Sequence, residues 1–264
     1  ASAGSGASLT LSGAGSKNLL ISATSVSVAD ATAVADSTGD LGIGASVAVN
    51  IGFQETHAEI MDGASVTGAH DVTLTADSDH TTTTTAEAGA EGGEAISPAV
   101  AFAYTDNDTA ALIGTGSLLD ITGSLLVEAI HVAGVTTTAR GDTAGTEVMV
   151  GAAVGVNVIN DYAHASAARN FEADADVDLT ATLTSDGVAT VFAGAEGIPV
   201  PETDDSVQNV DDEIGRQMDY GDPNAGTPDE TEEPSVVDTV VAQATDNQVT
   251  LPDVGIAAAI GVNV

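Results

Sequence analysis

Internal repetition constrains this chain more than any other feature. The stretch Gly44-Ala-Ser-Val-Ala-Val-Asn-Ile-Gly52 alternates β-branched residues with very small ones. It returns as Pro98-Ala-Val-Ala-Phe-Ala-Tyr104, as Gly151-Ala-Ala-Val-Gly-Val-Asn-Val158 and as Ala257-Ala-Ala-Ile-Gly-Val-Asn-Val264. With the second large position as marker, the copies fall at Val49, Phe102, Val156 and Val262. The separations are 102 − 49 = 53, 156 − 102 = 54 and 262 − 156 = 106, twice 53. A period of that length belongs to stacked repeat architectures, in which neighbouring units share one elongated core.

The register holds beyond the marker. Ala111, Ile113, Gly116, Leu119, Leu125, Val127 and Ala129 each lie 53 positions after Ala58, Ile60, Gly63, Val66, Val72, Leu74 and Ala76. A third unit is looser, with Phe171, Val177 and Leu179 still alternating and Asn170 near the glycine position, where left-handed backbone is tolerated. The units read as a partial repeat over 1–43, repeats over 44–96, 97–150 and 151–197, and the start of another over 255–264. The stop at Val264, inside a hallmark stretch, reads as a segment of something longer.

Residues 198–254 break the pattern. They hold six of the seven prolines, Pro199, Pro201, Pro223, Pro228, Pro234 and Pro252, and fifteen acidic residues against the single Arg216. Proline at that density is excluded from a sheet ladder, and charge without apolar periodicity suggests an extended or partly disordered excursion. Within it, Val236-Val237 and Val240-Val-Ala-Gln-Ala244 are expected to return to strand.

Alternation at period two puts Val47, Val49 and Ile51 on one face of a strand and Ala48 and Asn50 on the other. Both faces are small or apolar, which predicts a strand covered on both sides. Helix is the rival for Ala-rich tracts such as Ala163–Ala168. Dense β-branched residues and frequent Gly count against it. The expected fold is all-β, a parallel β-helix or β-solenoid of roughly 53-residue repeats with the acidic Pro-rich insertion. Each unit is expected to supply two or three coils and to advance roughly 10–14 Å at about 4.8 Å per layer. Corners are expected at Gln54-Glu-Thr56, Asp62-Gly63, Asp77-Ser-Asp79 and Asp106-Asn-Asp108. Stacked β-sandwiches or hairpin repeats are the alternative. A transmembrane barrel lacks its aromatic girdles here, since aromatics are 3% of the chain.

Charge narrows the partners. With 4 Lys+Arg against 40 Asp+Glu, the formal net charge is −36. Such a surface repels nucleic acid and anionic lipid and suits cations, high salt or simple solubility. No Cys is present, so neither disulfides nor thiolate metal sites arise. No apolar run approaches the roughly 20 residues of a membrane helix, so membrane insertion is not expected.

The pattern Gly-x-Gly-Ala-Ser-Val-Ala-Val-Asn, then Ala-x-Ile-x-x-Gly-Ala-x-Val and a closing Asp-Val-Thr-Leu-Thr-Ala, resembles the repeats of large secreted bacterial filamentous adhesins. It is most similar to the leukotoxin-like filamentous adhesin and giant surface protein type. The resemblance covers the repeats and stops at the acidic insertion. It implies an extracellular or cell-surface, fibrous, adhesive or matrix role, with contacts to neighbouring repeats and to cell-surface or matrix glycans. Phe102-Ala-Tyr104 departs from the Val-Asn form.

Candidate sites are few. Arg140-Gly141-Asp142 matches an integrin-recognition tripeptide. Asp174, Asp176 and Asp178 alternate and would share a strand face, and Asp106 and Asp108, at an expected corner, are the other calcium candidates. The set beginning at Asp174 does not meet the EF-hand pattern, since Leu179 and Ser185 stand in place of Gly and Glu. Calcium is thus an optional ion and no cofactor is required. His57, His70, His80, His131 and His164 lack ligand spacing and read as surface or corner residues. No Gly-x-Ser-x-Gly elbow or Lys-bearing phosphate loop occurs. The expected function is a non-enzymatic structural and adhesive segment of a secreted surface filament, assembling end to end through its open ladder ends. A calcium- or carbohydrate-binding β module is the alternative, and a β-helix polysaccharide lyase the remote one.

Overall fold

Period-two alternation carries directly into the backbone. The computed structural model describes residues 1–12, 17–197, 239–247 and 254–264. Among them every regular element is a β-strand: β1 (Ser2–Ala3), β2 (Ser8–Thr10), β3 (Leu19–Ile43), β4 (Ser46–Ile60), β5 (Ser65–Thr67), β6 (Val72–Ile113), β7 (Leu119–Ile121), β8 (Leu125–Ala167), β9 (Phe171–Ala173), β10 (Val177–Gly197), β11 (Thr239–Asn247) and β12 (Val254–Asn263). The Ala-rich tract at 163–167 closes β8. No helix among the described residues is long and apolar enough to cross a membrane.

All pairings are parallel. One sheet runs β1-β4-β6-β8-β10-β11, with β3 joined to β6 and β12 to β8; β2 pairs β5, and β7 pairs β9. Partners sit one repeat apart, as in Leu19 opposite Val72 and Val72 opposite Leu125. One unit therefore adds one level to the sheet, about 4.8 Å of height. The expectation of two or three coils per unit is corrected accordingly.

The reason is strand length. β6 runs 42 residues and β8 runs 43. Each doubles back on itself: Ser78 and Thr109, both in β6, share a hydrogen bond at 2.6 Å. The reversal falls where the register slips between Gly92 and Glu94. Before it the buried positions are even, such as Leu74, Ala86 and Ala88; after it they are odd, such as Ala95, Ala99 and Ala101. Each level thus has an outgoing arm and a return arm, their inner faces opposed. The corners expected at Gln54–Thr56, Asp77–Asp79 and Asp106–Asp108 lie inside strands, because polar side chains alternate there between solvent and a polar interior. Only Asp62-Gly63 is a true turn, with Gly63 at φ 73°.

The interior narrows toward the reversal. At the far end Ile60, Leu74, Ile113, Leu119, Ile121 and Leu125 form an aliphatic cluster, all fully buried. Nearer the reversal Ala48, Ala86, Ala99, Ala101, Ala139 and other small residues predominate, with Val191 and Met149 the larger members. A Cβ on Gly151 would collide with the Gly194 and Gly141 carbonyl oxygens, so the arms meet there almost backbone to backbone. Val47, Val49 and Ile51 consequently point outward, 64%, 51% and 57% exposed. The expectation that this strand is covered on both sides does not hold, since among the described residues no other element packs against its bulky face.

Side chains tie the levels and the arms. The hallmark Asn amides cross to the outgoing arm: Asn50 donates to the Ala29 carbonyl at 3.0 Å, Asn157 to Val188 at 2.9 Å and Asn263 to Gly187 at 2.8 Å. At the wide end, Asp62 accepts from the Thr115 backbone and hydroxyl, and Asp71 from those of Ser124. These corner carboxylates bond the next level rather than their own turn, and the donors hold both below the ordinary carboxylate range. Arg169 is 8% exposed. It donates to the carbonyls of Gly114 at 2.6 Å, Ala64 at 2.5 Å, Thr115 at 3.1 Å and Met61 at 3.3 Å, spanning three levels.

Arg169→Ala removes the side-chain donors to those four carbonyls, of which Thr115 and Met61 keep the backbone amides of Gly63 and Ala64, and is expected to cost roughly 3 kcal/mol, read as a lower urea midpoint. Arg169→Lys should recover only part of the loss, because an ammonium lacks the planar fork. An unchanged midpoint in the Ala variant would remove this role.

Candidate functional site

The two outer faces of the doubled sheet differ in chemistry. On the outgoing arm the outward rows are hydroxyl and acid rich. One row is Thr32, Thr85, Thr138 and Thr190, and another is Thr24, Asp77, Ile130 and Thr182. The return arm presents the opposite. Ile43, Ile96, Val150 and Ile256 align in one row across four levels. Val47, Val100, Val154 and Ile260 form the next but one. Val49, Phe102, Val156 and Val262 follow, then Ile51, Tyr104 and Val158, with Val264 bonded beside Val158 through the Ile159 amide. Between the first two of these rows stand Ala45, Pro98, Ala152 and Ala258.

These twenty positions carry no charge, although charged residues are 17% of the chain. Where the levels end, the side chains are open to solvent: Val47 is 64% exposed and Ile260 57%. Beyond this field the face turns polar at Asp106, Asn160, Asp108 and Tyr162. Contiguous apolar patches of this extent are uncommon on monomers and mark interaction sites.

A second constellation lies inside, midway along the arms. Ser78 Oγ is 2.7 Å from His131 Nδ1, and Thr109 Oγ1 is 3.1 Å from the same nitrogen. Asp161 Oδ1 stands 3.5 Å from His131 Nε2. The amide of Asn107 donates to Asp161 at 2.7 Å and the Ser185 hydroxyl at 2.5 Å. His80 takes a 2.8 Å contact from Ser27 and lies 5.6 Å from the His131 ring. The order hydroxyl, imidazole, carboxylate matches a nucleophile triad in sequence of groups. Its setting differs, because Ser78 is 1% exposed and His131 fully buried, so no substrate carbonyl reaches the hydroxyl.

His80 and His131 therefore correct the expectation of surface or corner histidines. Each ring turns Nδ1 to hydroxyls, His80 to Ser27 and His131 to Ser78 and Thr109, as buried polar groups require partners. Single-residue spacing could not show this; the 53-residue offset of His80 from Ala133 and of His131 from Ser78 could, since buried partners recur at that offset.

The sequence-derived candidates are dispersed. Arg140 and Asp142 point outward from β8 and pair with one another, 58% and 42% exposed, while Gly141 faces inward against the Ala152 and Ser97 carbonyls. The tripeptide is extended within a ladder. Arg140 and Asp142 line an open groove of about 510 Å3 near the reversal, with Asp36, Glu91 and Glu196. Asp106 and Asp108 are outward in β6. Asp108 lies 3.3 Å from His57 and 3.8 Å from His164. Asp174 and Asp176 sit in the exposed corner between β9 and β10, and only Asp178 is in a strand, accepting from Thr180 at 2.7 Å. The three do not share a strand face as expected, because the corner intervenes. Among the described residues no group of three His, Asp or Glu is arranged to hold a metal ion. The six insertion prolines and Val236-Val237 lie outside the described residues, while the strand expected near Val240–Ala244 is β11.

The buried polar groups make stability depend on pH. Burial, and secondly the His131 ring, lower the proton affinity of His80 below its ordinary 6.5, against the pull of Asp161 and Asp79. Burial raises that of Asp161, but donors on His131, Ser185 and Asn107 outweigh it and hold the carboxyl below the ordinary range. Unfolded His80 takes up a proton that the folded one refuses, so stability falls as pH drops below about 6.5. A further loss follows as pH falls through the carboxylate range toward the folded value of Asp161. The urea midpoint is expected to be lower at about pH 5.5 than at about pH 7.5, and His80→Gln to flatten that interval. Equal slopes in both proteins would refute it.

Comparison with protein-family models, with curated proteins and with solved structures finds no match to this chain.

Proposed function

We propose that this chain is a β-solenoid rod segment of a secreted bacterial surface filament, with a structural and adhesive task and no enzymatic one. The observation that carries the reading is the one-repeat register: each unit lays its full length on the unit before it, and every partner is parallel. Extra units then add height without changing cross-section, which is the geometry of a spacer.

Several further features support it. Cross-level bonds from Asp62, Asp71 and Arg169 resist shear between levels. The Thr- and Asp-rich outer face keeps a long array hydrated and gives hydroxyls and carboxylates that suit glycans on a cell or matrix surface. Among the described residues most of β3 and β4 has no strand beneath it, a ladder of the kind that accepts a further unit. The sequence resemblance to filamentous adhesin repeats points the same way.

Electron microscopy of the purified chain is expected to show rods of uniform width that lengthen by end-to-end addition, whereas isolated round particles at every concentration would defeat the reading. Because the levels are held by ladder bonds and no ion is required, a chelator should leave the thermal midpoint nearly unchanged. A large drop would favour a calcium-loaded module instead.

A further inference from the structure

We infer that the apolar outer face of the return arm is a pairing surface for a second copy of this chain, joining two molecules side by side. This goes beyond end-to-end growth, since it uses a face perpendicular to the ladder ends and stands whether or not those ends polymerise.

Three observations argue for a second copy as the occupant. The first is size. Ten residues of strand over four levels cover about 33 Å by 19 Å, roughly 600 Å2 per molecule. Two copies would bury roughly 1,200 Å2, the lower bound for a specific, stable interface.

The second is shape. The field is flat and periodic, with rows about 6.6 Å apart along the strand and levels about 4.8 Å apart. An identical field has the same two spacings, so the ridges of Val49, Phe102 and Val156 can seat in the furrow over the Ala45, Pro98 and Ala152 row of the partner. Two sheets packing face to face at about 10 Å are what such surfaces form.

The third is charge. Each chain carries −36, so a second copy approaching the Thr- and Asp-rich face would bring carboxylates opposite carboxylates. The field spanning Ile43 to Ile51 and its equivalents has none. Pairing through it leaves the acidic faces turned outward and furthest apart. Residual repulsion is screened by salt, and the apolar contact is not weakened by it.

The two-fold symmetric pair closes on itself, in contrast to an open-ended chain of head-to-tail contacts. The test is sedimentation equilibrium at about 0.15 M and about 1 M salt. Wild type is compared with Val100→Glu/Val154→Glu, at the centre of the field, and with Thr83→Glu/Thr136→Glu, a matched pair on the other outer face. Wild type is expected to pair through this face, more tightly at the higher salt, so that any end-to-end growth proceeds in units of two. The central pair should weaken dimerisation at least about tenfold with unchanged circular dichroism, and the control pair should dimerise as wild type does. Should the Glu pair disturb the ladder, Val100→Thr/Val154→Thr keeps β-branching and is expected to weaken the dimer in the same direction.

A wild-type monomer at both salts overturns the inference, including one that binds phosphatidylcholine vesicles, which would make the face a lipid surface. Equal loss of the dimer in the control pair overturns it too. Assembly, whether dimer or longer rod, whose paired units survive the central substitutions unchanged also overturns it, while leaving the rod reading intact.

Discussion

Everything in this molecule depends on how little room lies between the two arms of each level. Close to the reversal the opposed backbones admit mostly hydrogen or methyl side chains, as at Gly151 and Ala101, with Met149 and Val191 the larger exceptions. That spacing decides which half of the alternation turns inward. In the strand carrying Val47, Val49 and Ile51 the small residues take the interior and the β-branched ones are displaced to the outside. Burial of bulk, the usual source of stability at roughly 25 cal/mol per Å2 of apolar surface, is concentrated in the aliphatic cluster around Leu74, Ile113 and Leu125. Elsewhere the parallel ladder and the cross-arm Asn amides hold the levels together.

The polar middle of the interior follows from the same geometry. A slot too narrow for Leu on both sides can hold Ser, Thr, Asn and His if their polar atoms find one another. Ser78, Thr109, His131, Asn107, Asp161 and Ser185 do so, giving a network whose members come from three levels and both arms. Such a network costs stability if half made and confers register when complete. A slip of one unit residue would turn His131 outward and leave Asp161 among hydrocarbon.

Much of the fold was legible in the sequence. The period of 53 is the spacing between ladder partners, and the strand periodicity was visible in every unit. The turn at Asp62-Gly63 announced itself by composition. What alternation cannot say is which face is inside. The marker row Val49, Phe102, Val156 and Val262 is a real row of the structure, yet it lies on the surface. Reading it as core followed the ordinary rule that large apolar residues are interior, a rule the thin slot suspends. Corners were misplaced for a related reason: Asp77–Asp79 and Asp106–Asp108 look like turn chemistry, but in an arm some twenty residues long the outward acids are simply hydrated. The buried histidines escaped notice because their partners are 53 residues away, and the carboxylates proposed as ligands were paired along the chain where the fold pairs them across levels.

The reversal between Gly92 and Glu94 has a consequence for how such a chain can vary. There the ladder offset changes from 53 to 54 without disturbing either arm, since Gly92 faces Gly145 while Glu94 faces Val148. The fourth level goes much further at the same place, with 198–253 intervening between Gly197 and the Val254 that rejoins the return arm. The hairpin tip is thus the port of the architecture, a position where foreign sequence of any length can be spliced while the register on either side is kept. A tag or binding peptide placed between Gly92 and Glu94 would be carried at one edge of the stack, at a height set by the level chosen.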